Sequence, residues 1–441
     1  MIEAHKLMSY YCVGCGICTG ICPSNAISIA VKQNVVTVSF DYSKCINCLL
    51  CSRVCPALKN VYTSTKAMVR TFVKSITGIE RIFFGWSKDG ELRYEAASGG
   101  IVTSLLKYVI EHKIADHVII TIQQGFTANP YITNDFATVF KSRGSIYFKT
   151  FTAKAIREIL KLLRNGRRVV FVGLPCMIKA IKYVIPRQLH DRILFICLMC
   201  YHINELWYLK YILSRYAPSK NAKPLSITSR RGGWPGNILI AYRAYGNKLI
   251  HVKVPQFSLW SIIPILEFTA PIGCLFCVDH LGVNADIVVA DAWHPKYFGK
   301  DKLGVSLILV RSERGLGVLK GSEEHGYTEL VEGSLGDLII AQKWNSIIRP
   351  LQALIRKNVK DRTLVVKSLM LAPRLLIFEL MRFSLLLIIN SIKSFTYRYA
   401  IVRILEKAMY ILKLSLLQDK IFKVYIYHPK RVSRILKSFI S

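Results

Sequence analysis

The chain of 441 residues is 52% hydrophobic and 20% charged, which excludes a disordered protein and allows a large core. Its 61 Lys and Arg against 27 Asp and Glu give a net charge of +34, which favours an anionic partner such as nucleic acid, a lipid surface or a phosphate-rich cofactor. The 13 cysteines are too few to staple so long a chain with disulfides. Without a signal peptide or an uncharged apolar run of membrane-spanning length, we expect a cytoplasmic protein.

Eight of the cysteines lie in two runs that repeat with a period of 33 residues near the N-terminus. Both runs read C-x2-C-x2-C-x3-C-P, the spacing of bacterial-type ferredoxins, in which the fourth cysteine of each run binds the other 4Fe–4S cluster. The predicted ligands are Cys12, Cys15, Cys18 and Cys55 for one cluster, and Cys45, Cys48, Cys51 and Cys22 for the other. A zinc module is disfavoured, because zinc sites use paired C-x2-C units separated by a spacer.

The apolar stretches at 27–30 and 35–40, with a turn at 32–34, predict a β-hairpin between the two runs. We therefore expect a small α+β ferredoxin-like domain over 1–60, followed by a linker over 61–80. Beyond it, the segments 81–87 and 91–94 flank Lys88-Asp89-Gly90 and predict a second hairpin.

The segment 81–345 alternates strands and helices, which favours an α/β domain with a mostly parallel sheet. The pattern predicts a helix over 101–110 with Ser98 as its N-cap, and a hairpin around Gly246-Asn247. A Ser98-Gly99-Gly100 helix start suits a phosphate, although a tight helix start alone explains it as well. The remaining predictions are strands at 118–122, 168–173 and 192–198 and helices at 155–163 and 205–216.

Five later cysteines are Cys176, Cys197, Cys200, Cys274 and Cys277. Cys176 and Cys200 follow predicted strands, at the sheet edge where open α/β folds bind ligands. The residues alone leave three interpretations open: a third cluster, a zinc site made of the two C-x2-C pairs, or buried thiols. Strand alternation turns Cys197 and Cys200 to opposite sides unless the strand ends near 198.

Six motifs carry a resemblance to a known family. They are Ser98–Leu106 (SGGIVTSLL), 143–147 (RGSIY), 172–176 (VGLPC), 199–202 (MCYH), 274–279 (CLFCVD) and 285–293 (ADIVVADAW). Their order resembles that of the coenzyme F420 hydrogenase/dehydrogenase beta-subunit family, FAD-dependent iron–sulfur flavoproteins that often carry a fused dicluster ferredoxin. Two departures are Leu174, where the family usually has a small or hydroxyl residue, and the segment 199–202, which lies between two branches of the family.

The resemblance implies a third 4Fe–4S cluster beside the flavin, held by Cys176, Cys200, Cys274 and Cys277, with Cys197 left as a buried thiol. It also implies FAD contacts from the helix start Ser98, Gly99 and Gly100, from the turn Arg143, Gly144 and Ser145, and from Gly173 and Pro175. The flavin would exchange a hydride with coenzyme F420 and single electrons with the clusters. The expected partner is a ferredoxin or a hydrogenase or dehydrogenase subunit.

No catalytic residue is named, and we expect His202 and His280 to be packed beside cluster ligands. Two alternatives stay open: a related flavin and iron–sulfur reductase acting on another organic substrate of polysaccharide or pigment metabolism, and a flavin-free electron-transfer adaptor with zinc at the late cysteines.

The last predicted unit is a basic helical extension over 346–441. Residues 351–441 hold 18 Lys and Arg against 4 Asp and Glu, and apolar positions repeat at helical spacing over 375–388 and 401–412. These helices either pack on the body or lie on an anionic membrane surface at the cytoplasmic face. Nucleic acid is disfavoured, because no nucleic-acid-binding motif accompanies the charge.

Overall fold

The computed structural model describes residues 2–357, apart from 257, 259, 261–263, 265, 266 and 344–346. The predicted helices at 375–388 and 401–412 lie outside the described residues. Within the described part of the chain, no helix is long and apolar enough to cross a membrane.

The N-terminal region contains a two-stranded hairpin surrounded by four short helices. The antiparallel strands β1 (Ile27–Lys32) and β2 (Val35–Phe40) confirm the predicted hairpin. Gln33 and Asn34 at its turn have φ of 51° and 61°, the left-handed conformation that tight hairpin turns require. The helices are α1 (Ile2–Tyr10), α2 (Ile17–Ile21), α3 (Leu50–Val54) and α4 (Pro56–Tyr62).

The segment predicted as a linker is largely helical. Helix α5 (Thr65–Thr77) begins after Ser64, whose hydroxyl accepts a hydrogen bond from the Ala67 N–H. Met68 and Phe72 are buried on one face of α5. The segment therefore packs on the protein instead of spanning an open gap.

An eight-stranded sheet forms the body and confirms the predicted fold class. Its strand order is β13-β3-β12-β11-β7-β6-β4-β5, in which β4, β6, β7 and β11 are parallel neighbours and the outer strands pair antiparallel. The bounds are β3 (Arg81–Ser87), β4 (His117–Gln124), β5 (Thr127–Thr133), β6 (Val169–Gly173), β7 (Ile193–Leu198), β11 (Ile287–Asp291), β12 (Ser306–Val310) and β13 (Thr328–Gly333).

Helices cover both faces of this sheet, as parallel strands require. All five residues of β6 are buried, because side chains on both faces of a central strand face a helical layer. The helices of the body are α6 (Gly90–Glu95), α7 (Ile101–Glu111), α8 (Phe136–Lys141), α9 (Ile156–Arg164), α10 (Pro175–Val184), α11 (Leu206–Arg215), α12 (Glu313–Glu324), α13 (Leu335–Lys343) and α14 (Arg349–Lys357).

Two local predictions near residue 90 are wrong. The segment 91–94 is part of helix α6, not a strand, because the Asp89 carboxylate accepts a hydrogen bond from the Leu92 N–H and caps the helix. Helix α7 is capped by Gly100 at φ 78°, not by Ser98. The Ser98 hydroxyl instead donates to Val305 O at 2.7 Å.

A separate antiparallel sheet of three strands, β8 (Lys223–Arg231), β9 (Asn237–Arg243) and β10 (Leu249–Pro255), has the order β10-β9-β8. The hairpin predicted around Gly246-Asn247 is confirmed as β9 and β10. Strand β8, which the sequence analysis did not predict, completes this sheet.

The N-terminal region is joined to the body by backbone hydrogen bonds. Phe151 N donates to Gly14 O at 2.9 Å, and Ala153 N donates to Cys15 O at 2.8 Å. One hydrophobic core contains residues from both parts, among them Ile17 and Ile156. The two predicted domains are therefore packed as one body around the first cysteine loop.

Candidate functional site

The predicted site residues collect at one edge of the large sheet. Strands β6, β7 and β11 are parallel and end there, at Gly173, Leu198 and Asp291. The start of β12 lies at the same edge, because Ser306 pairs with Asp291 across the antiparallel β11–β12 ladder. The carboxyl ends of parallel strands are where open α/β sheets bind ligands.

Three elements bring the late cysteines to this edge. Cys176 lies in the first turn of α10, which begins with Pro175 directly after β6. Cys200 follows β7, which ends at Leu198. Cys200 therefore lies outside the strand, and strand alternation does not turn it to the side opposite Cys197. Cys274 and Cys277 belong to a single 3-10 turn, in which the Cys277 N–H donates to Cys274 O.

Electrostatic coupling places four of these thiols in one group. Burial raises the pKa of the Cys176 thiol well above its ordinary value, and the next largest contributions come from Cys200, Cys274 and Cys277. Burial, Cys200 and Cys277 likewise raise the pKa of Cys274 well above its usual range. All four residues are half-buried. We call these four residues the third cysteine group.

Cys197 is completely buried in β7. Burial and the nearby Asp279 carboxylate raise the pKa of its thiol well above the ordinary value. An atom at the Cβ position of Gly282 would lie 2.7 Å from Cys197 Sγ, so the thiol packs tightly against backbone. Its surroundings are those of a packed core side chain.

The eight N-terminal cysteines fall into two sets of electrostatically coupled thiols. Burial raises the pKa of the Cys18 thiol well above its usual range, and the next largest contributions come from Cys15, Cys12 and Cys55. We call these four residues the first cysteine group. The pKa of Cys51 is raised to about 11 by burial and then by Cys48, Cys22 and Cys45, the other members of the second cysteine group. Cys55 is thus coupled to the first run and Cys22 to the second, and the exchange of these two ligands stays a prediction.

The first and third groups are neighbours. After burial, the largest contribution that raises the pKa of the Cys15 thiol comes from Cys176. Cys18 is coupled to Cys51 of the second group as well as to its own group. The three groups therefore stand in series, with the first group in the middle.

A cubane cluster, with four iron atoms and four sulfides, needs its thiolates further apart than a single ion does. Among the described residues, no set of three or more His, Cys, Asp or Glu side chains is placed to hold one metal ion. The donors of the three groups are all thiols, which are the ligands of 4Fe–4S clusters.

Two histidines surround the third group without pointing a free nitrogen at it. The ring nitrogens of His280 lie 2.8 Å from Cys200 O and 2.9 Å from Cys277 O, so the nitrogen that carries the proton donates to one of these two cysteine backbones. The ring of His202 lies 2.8 Å from both Ile203 O and Pro264 O. Burial, with the Arg349 charge, lowers the pKa of His202 to about 4, so the ring is neutral at pH 7.

The predicted phosphate contacts lie at the same sheet edge. Ser306 Oγ accepts a hydrogen bond from Gly99 N at 3.1 Å, and Gly99 O accepts one from Ser87 N at 2.6 Å. A Cβ on Gly99 would lie 2.5 Å from Gly85 O. Packing against β3 and β12 therefore requires glycine here, whatever else the loop binds.

Arg230 and Arg231 connect this loop with the turn at Arg143–Ser145. Arg230 donates to Ala97 O at 2.6 Å and forms a bidentate pair with Asp291, at 2.5 and 3.1 Å. Arg231 donates to Glu95 O at 2.9 Å and to Arg143 O at 2.7 Å. Both predicted cofactor segments are therefore anchored by one pair of arginines.

Two guanidinium groups face each other at this point. Burial, followed by repulsion from Arg143, lowers the pKa of Arg231 to about 10. Arg143 lies over the Phe140 ring at 3.9 Å, and its Nε is buried with no hydrogen-bond acceptor in the described part of the protein. Glu95, at 3.7 Å from Arg143 and 3.8 Å from Arg231, is one carboxylate for two cations. An anion is the ligand that these charges favour.

Gly144 and Ser145 complete this turn. Gly144 has φ 92°, and Ser145 forms a β-bridge with Ser229. Gly173 and Pro175 lie instead beside the third cysteine group, where β6 passes into α10. The predicted cofactor residues thus form two patches along one edge.

Sequence reasoning missed Arg230, Arg231, Asp291 and Trp234, whose Nε1 donates to Asp291 at 2.8 Å. The signal available was the sequence Arg230-Arg231-Gly232-Gly233, two cations before two flexible residues.

Comparisons with known proteins find sequence similarity over most of the chain. Residues 82–157 match the N-terminal model, and residues 166–334 the C-terminal model, of the coenzyme F420 hydrogenase/dehydrogenase beta subunit. Residues 11–58 match a 4Fe–4S dicluster domain. An uncharacterized protein from Methanocaldococcus jannaschii is 23% identical over 343 residues, which cover 72% of this chain and 88% of the relative. A chain of the F420-reducing NiFe hydrogenase complex from Methanosarcina barkeri is 17% identical, with a TM-score of 0.45, over 66% of this chain and 92% of that one.

Proposed function

This chain belongs to the coenzyme F420 hydrogenase/dehydrogenase beta-subunit family, and from that premise we propose that it exchanges a hydride with coenzyme F420 through bound FAD. Its dicluster domain makes it an iron–sulfur oxidoreductase that transfers electrons. In the proposal, single electrons pass between the flavin site and a redox partner protein, such as a ferredoxin or a hydrogenase or dehydrogenase subunit.

The observation that carries the proposal is the convergence of Cys176, Cys200, Cys274 and Cys277 at the carboxyl edge of the sheet, next to Cys15. Hydrophobic side chains fill the core elsewhere, so packing alone does not require four thiols from three separate elements to lie together. Such a group supports a third 4Fe–4S cluster. Clusters held by three groups in series would supply one-electron transfer along the protein.

A bound flavin would supply the exchange between two-electron hydride chemistry and one-electron chemistry. Arg143 and Arg231 are suited to bind its phosphates. They are largely buried and repel each other, and the negative charge near them is too small to neutralise both. Ser98, Gly99, Gly100, Gly144 and Ser145 would place backbone around the same anion. Gly173 and Pro175 lie where the ring system would meet the third cysteine group.

The second cysteine group is the proposed contact with the redox partner. Within this group, Cys45 and Cys48 are half-buried, whereas Cys22 and Cys51 are buried, so Cys45 and Cys48 mark its outer side. Between Cys45 and Cys48, the Ile46 side chain is 64% exposed, and Tyr42 is exposed nearby. An exposed apolar rim beside the outermost group suits a transient protein contact. The proposed units are therefore 1–60 for electron exchange and 81–345 for the flavin, joined by 61–80, with the extension 346–441 left to packing or membrane contact.

Iron and flavin content of the anaerobically purified protein tests the proposal. We expect about 12 iron atoms and one FAD per chain, four iron atoms for each cysteine group. Cys176→Ser is expected to lower the iron to about 8 atoms, because it removes a ligand of the third group alone. Cys197→Ser is the matched control and is expected to keep the wild-type iron content, because its thiol packs against Gly282.

A flavin-free protein with about 8 iron atoms and one zinc would contradict the proposal and favour an electron-transfer adaptor. If flavin is present, reduced F420 and NADH are compared as donors under anaerobic conditions. Bleaching of the flavin absorbance by reduced F420 supports the substrate assignment, and bleaching by neither donor favours another organic substrate.

A further inference from the structure

A buried lysine lies between the first and third cysteine groups. The side chain of Lys149 is 2% exposed, in a segment that leads from the Arg143–Ser145 turn to the contact with the first cysteine loop. Its aliphatic stem fills the space beside Gly14, where a Cβ would lie 2.5 Å from Lys149 Cβ and Cγ. Because Gly14 lies between Cys12 and Cys15 in the chain, the stem packs against the first cysteine loop.

The ammonium group of Lys149 is held by two acceptors. It donates to Val36 O in β2 at 2.6 Å and to Glu205 Oε1 at 2.8 Å. The Glu205 side chain is 6% exposed, and Glu205 directly precedes α11. A charge held from both the N-terminal region and the body has a fixed position relative to both.

Both cysteine groups experience this charge. Burial lowers the pKa of Lys149, but Glu205, Cys12 and Cys274 together raise it by more, so the pKa lies above the ordinary value and the group is cationic at pH 7. Cys12 belongs to the first group and Cys274 to the third, so this cation acts on both.

We propose that Lys149 is a positioning residue that raises the reduction potentials of the first and third clusters together, with Glu205 setting the strength of the effect. The inference rests on the proposed function, since it requires clusters in both groups. A fixed positive charge stabilises the added electron on a cluster, and net charge nearby is one of the factors that set such potentials. Burial strengthens that interaction, because the Lys149 side chain is 2% exposed and charges interact more strongly in low-dielectric surroundings than in water.

The second group, Cys22, Cys45, Cys48 and Cys51, gives the proposal its internal reference. The main thiol contributions to the raised pKa of Lys149 come from Cys12 of the first group and Cys274 of the third. The second cluster should therefore keep its potential when Lys149 changes. Raising the first and third potentials and not the second would favour electron flow from the flavin side as far as the first group and make the transfer from the first to the second group less favourable.

The test is a mediated redox titration of the full-length holoprotein, followed by the electron paramagnetic resonance signals of the reduced clusters. Lys149→Met keeps the length of the side chain and removes the charge, so we expect two of the three signals to titrate at more negative potential and the third to stay. Glu205→Gln is expected to move the same two signals in the opposite direction. Lys149→Arg, which restores a cation, is expected to return both signals toward the wild-type potentials.

Two measurements separate this inference from its premise. Iron and flavin content is determined first; a wild-type protein without three clusters fails the proposed function, not the role of Lys149. Lys154→Met, in the same segment but bonded to Asn129 Oδ1 at 2.9 Å, is the control for general loss of positive charge. Lys149→Met with full iron content and all three potentials unchanged, or shifted equally, would overturn the inference. If Lys149→Met does not fold, because the buried Glu205 loses its ion pair with Lys149, the opposite shift in Glu205→Gln decides it.

Discussion

The two places where cysteines gather are encoded in different ways. In the N-terminal region, each group draws three cysteines from one loop, and the spacing of the sequence specifies the ligands. At the sheet edge, the third cysteine group draws on α10, on the residues after β7 and on a turn near 274, which lie up to about a hundred residues apart. The ligands of the first arrangement are close in the chain and can be predicted from the sequence. Those of the second come together only after the sheet has formed. Stability at the sheet edge should therefore depend on tertiary ion pairs, and stability of the N-terminal loops on how they fit the body.

The largest expected effect concerns the sheet edge. Asp291→Ala removes the carboxylate that holds Arg230, whose side chain is only 2% exposed, and it also leaves Trp234 Nε1 without its acceptor. An arginine left buried without its partner costs about 3–5 kcal/mol. We expect anaerobic chemical denaturation to show a loss of that size in the free energy of unfolding.

The control for this prediction is an ion pair on the same sheet that solvent surrounds. Arg81 and Glu332 pair at 3.6 Å with side chains 60% and 70% exposed. Glu332→Ala should cost about 0–1 kcal/mol, because exposed pairs are screened by water. Equal losses in the two variants would show that the sheet edge does not depend on its buried pair.

The local and non-local regions also differ in what the sequence could predict. The β1–β2 hairpin was predictable because Asn34 marks a tight turn between two apolar runs, and the exchange of Cys22 and Cys55 follows from spacing alone. Helix α6 was missed because Asp89 in a Lys-Asp-Gly sequence suits a turn as well as a helix cap, and only the packing of Leu92 decides between them. Both outcomes depend on contacts within a few residues.

The arginines of the sheet edge were missed for a different reason. Arg230 and Arg231 lie on β8, and their partners are near residues 95, 143 and 291. No periodicity or spacing connects such distant positions, so sequence patterns cannot find the cluster. The late cysteines were grouped from a family resemblance, which supplies the non-local information that one sequence lacks.

The next prediction tests whether the locally encoded region is also locally stable. Gly16 has φ 85°, and a Cβ there would collide with the backbone of Phe151 in the body. Gly16→Ala combines left-handed strain with a backbone clash, so we expect it to lower the free energy of unfolding by about 2–5 kcal/mol. Loss of iron from the first and second cysteine groups should accompany it.

Gly246 provides the matched comparison, since it has φ 68° in the β9–β10 turn and a Cβ there would meet nothing within 4 Å. Gly246→Ala pays only for the left-handed backbone, about 1–2 kcal/mol, and should keep all its iron. If Gly16→Ala lowers the free energy of unfolding no more than Gly246→Ala and also keeps its iron, the N-terminal loops are stable independently of the body. The stability of the two regions would then differ less than their packing indicates.

The smallest expected effect on stability, and the most selective, belongs to Arg143. Its side chain is 23% exposed, and Glu95 keeps a second cation, Arg231, at 3.8 Å when Arg143 is removed. Arg143→Ala should therefore change the free energy of unfolding by less than about 1 kcal/mol. The unused Nε of Arg143 and its repulsion of Arg231 favour an anion at this point, so a charge-assisted bond to a flavin phosphate should be lost and the dissociation constant of FAD should rise about tenfold or more. Fluorescence titration of the deflavinated protein measures this rise, with Arg164→Ala, an exposed arginine at the end of α9, as the control that should bind FAD normally. Unchanged affinity in Arg143→Ala would remove the phosphate site from this part of the edge, while the third cysteine group would remain where the fold places it.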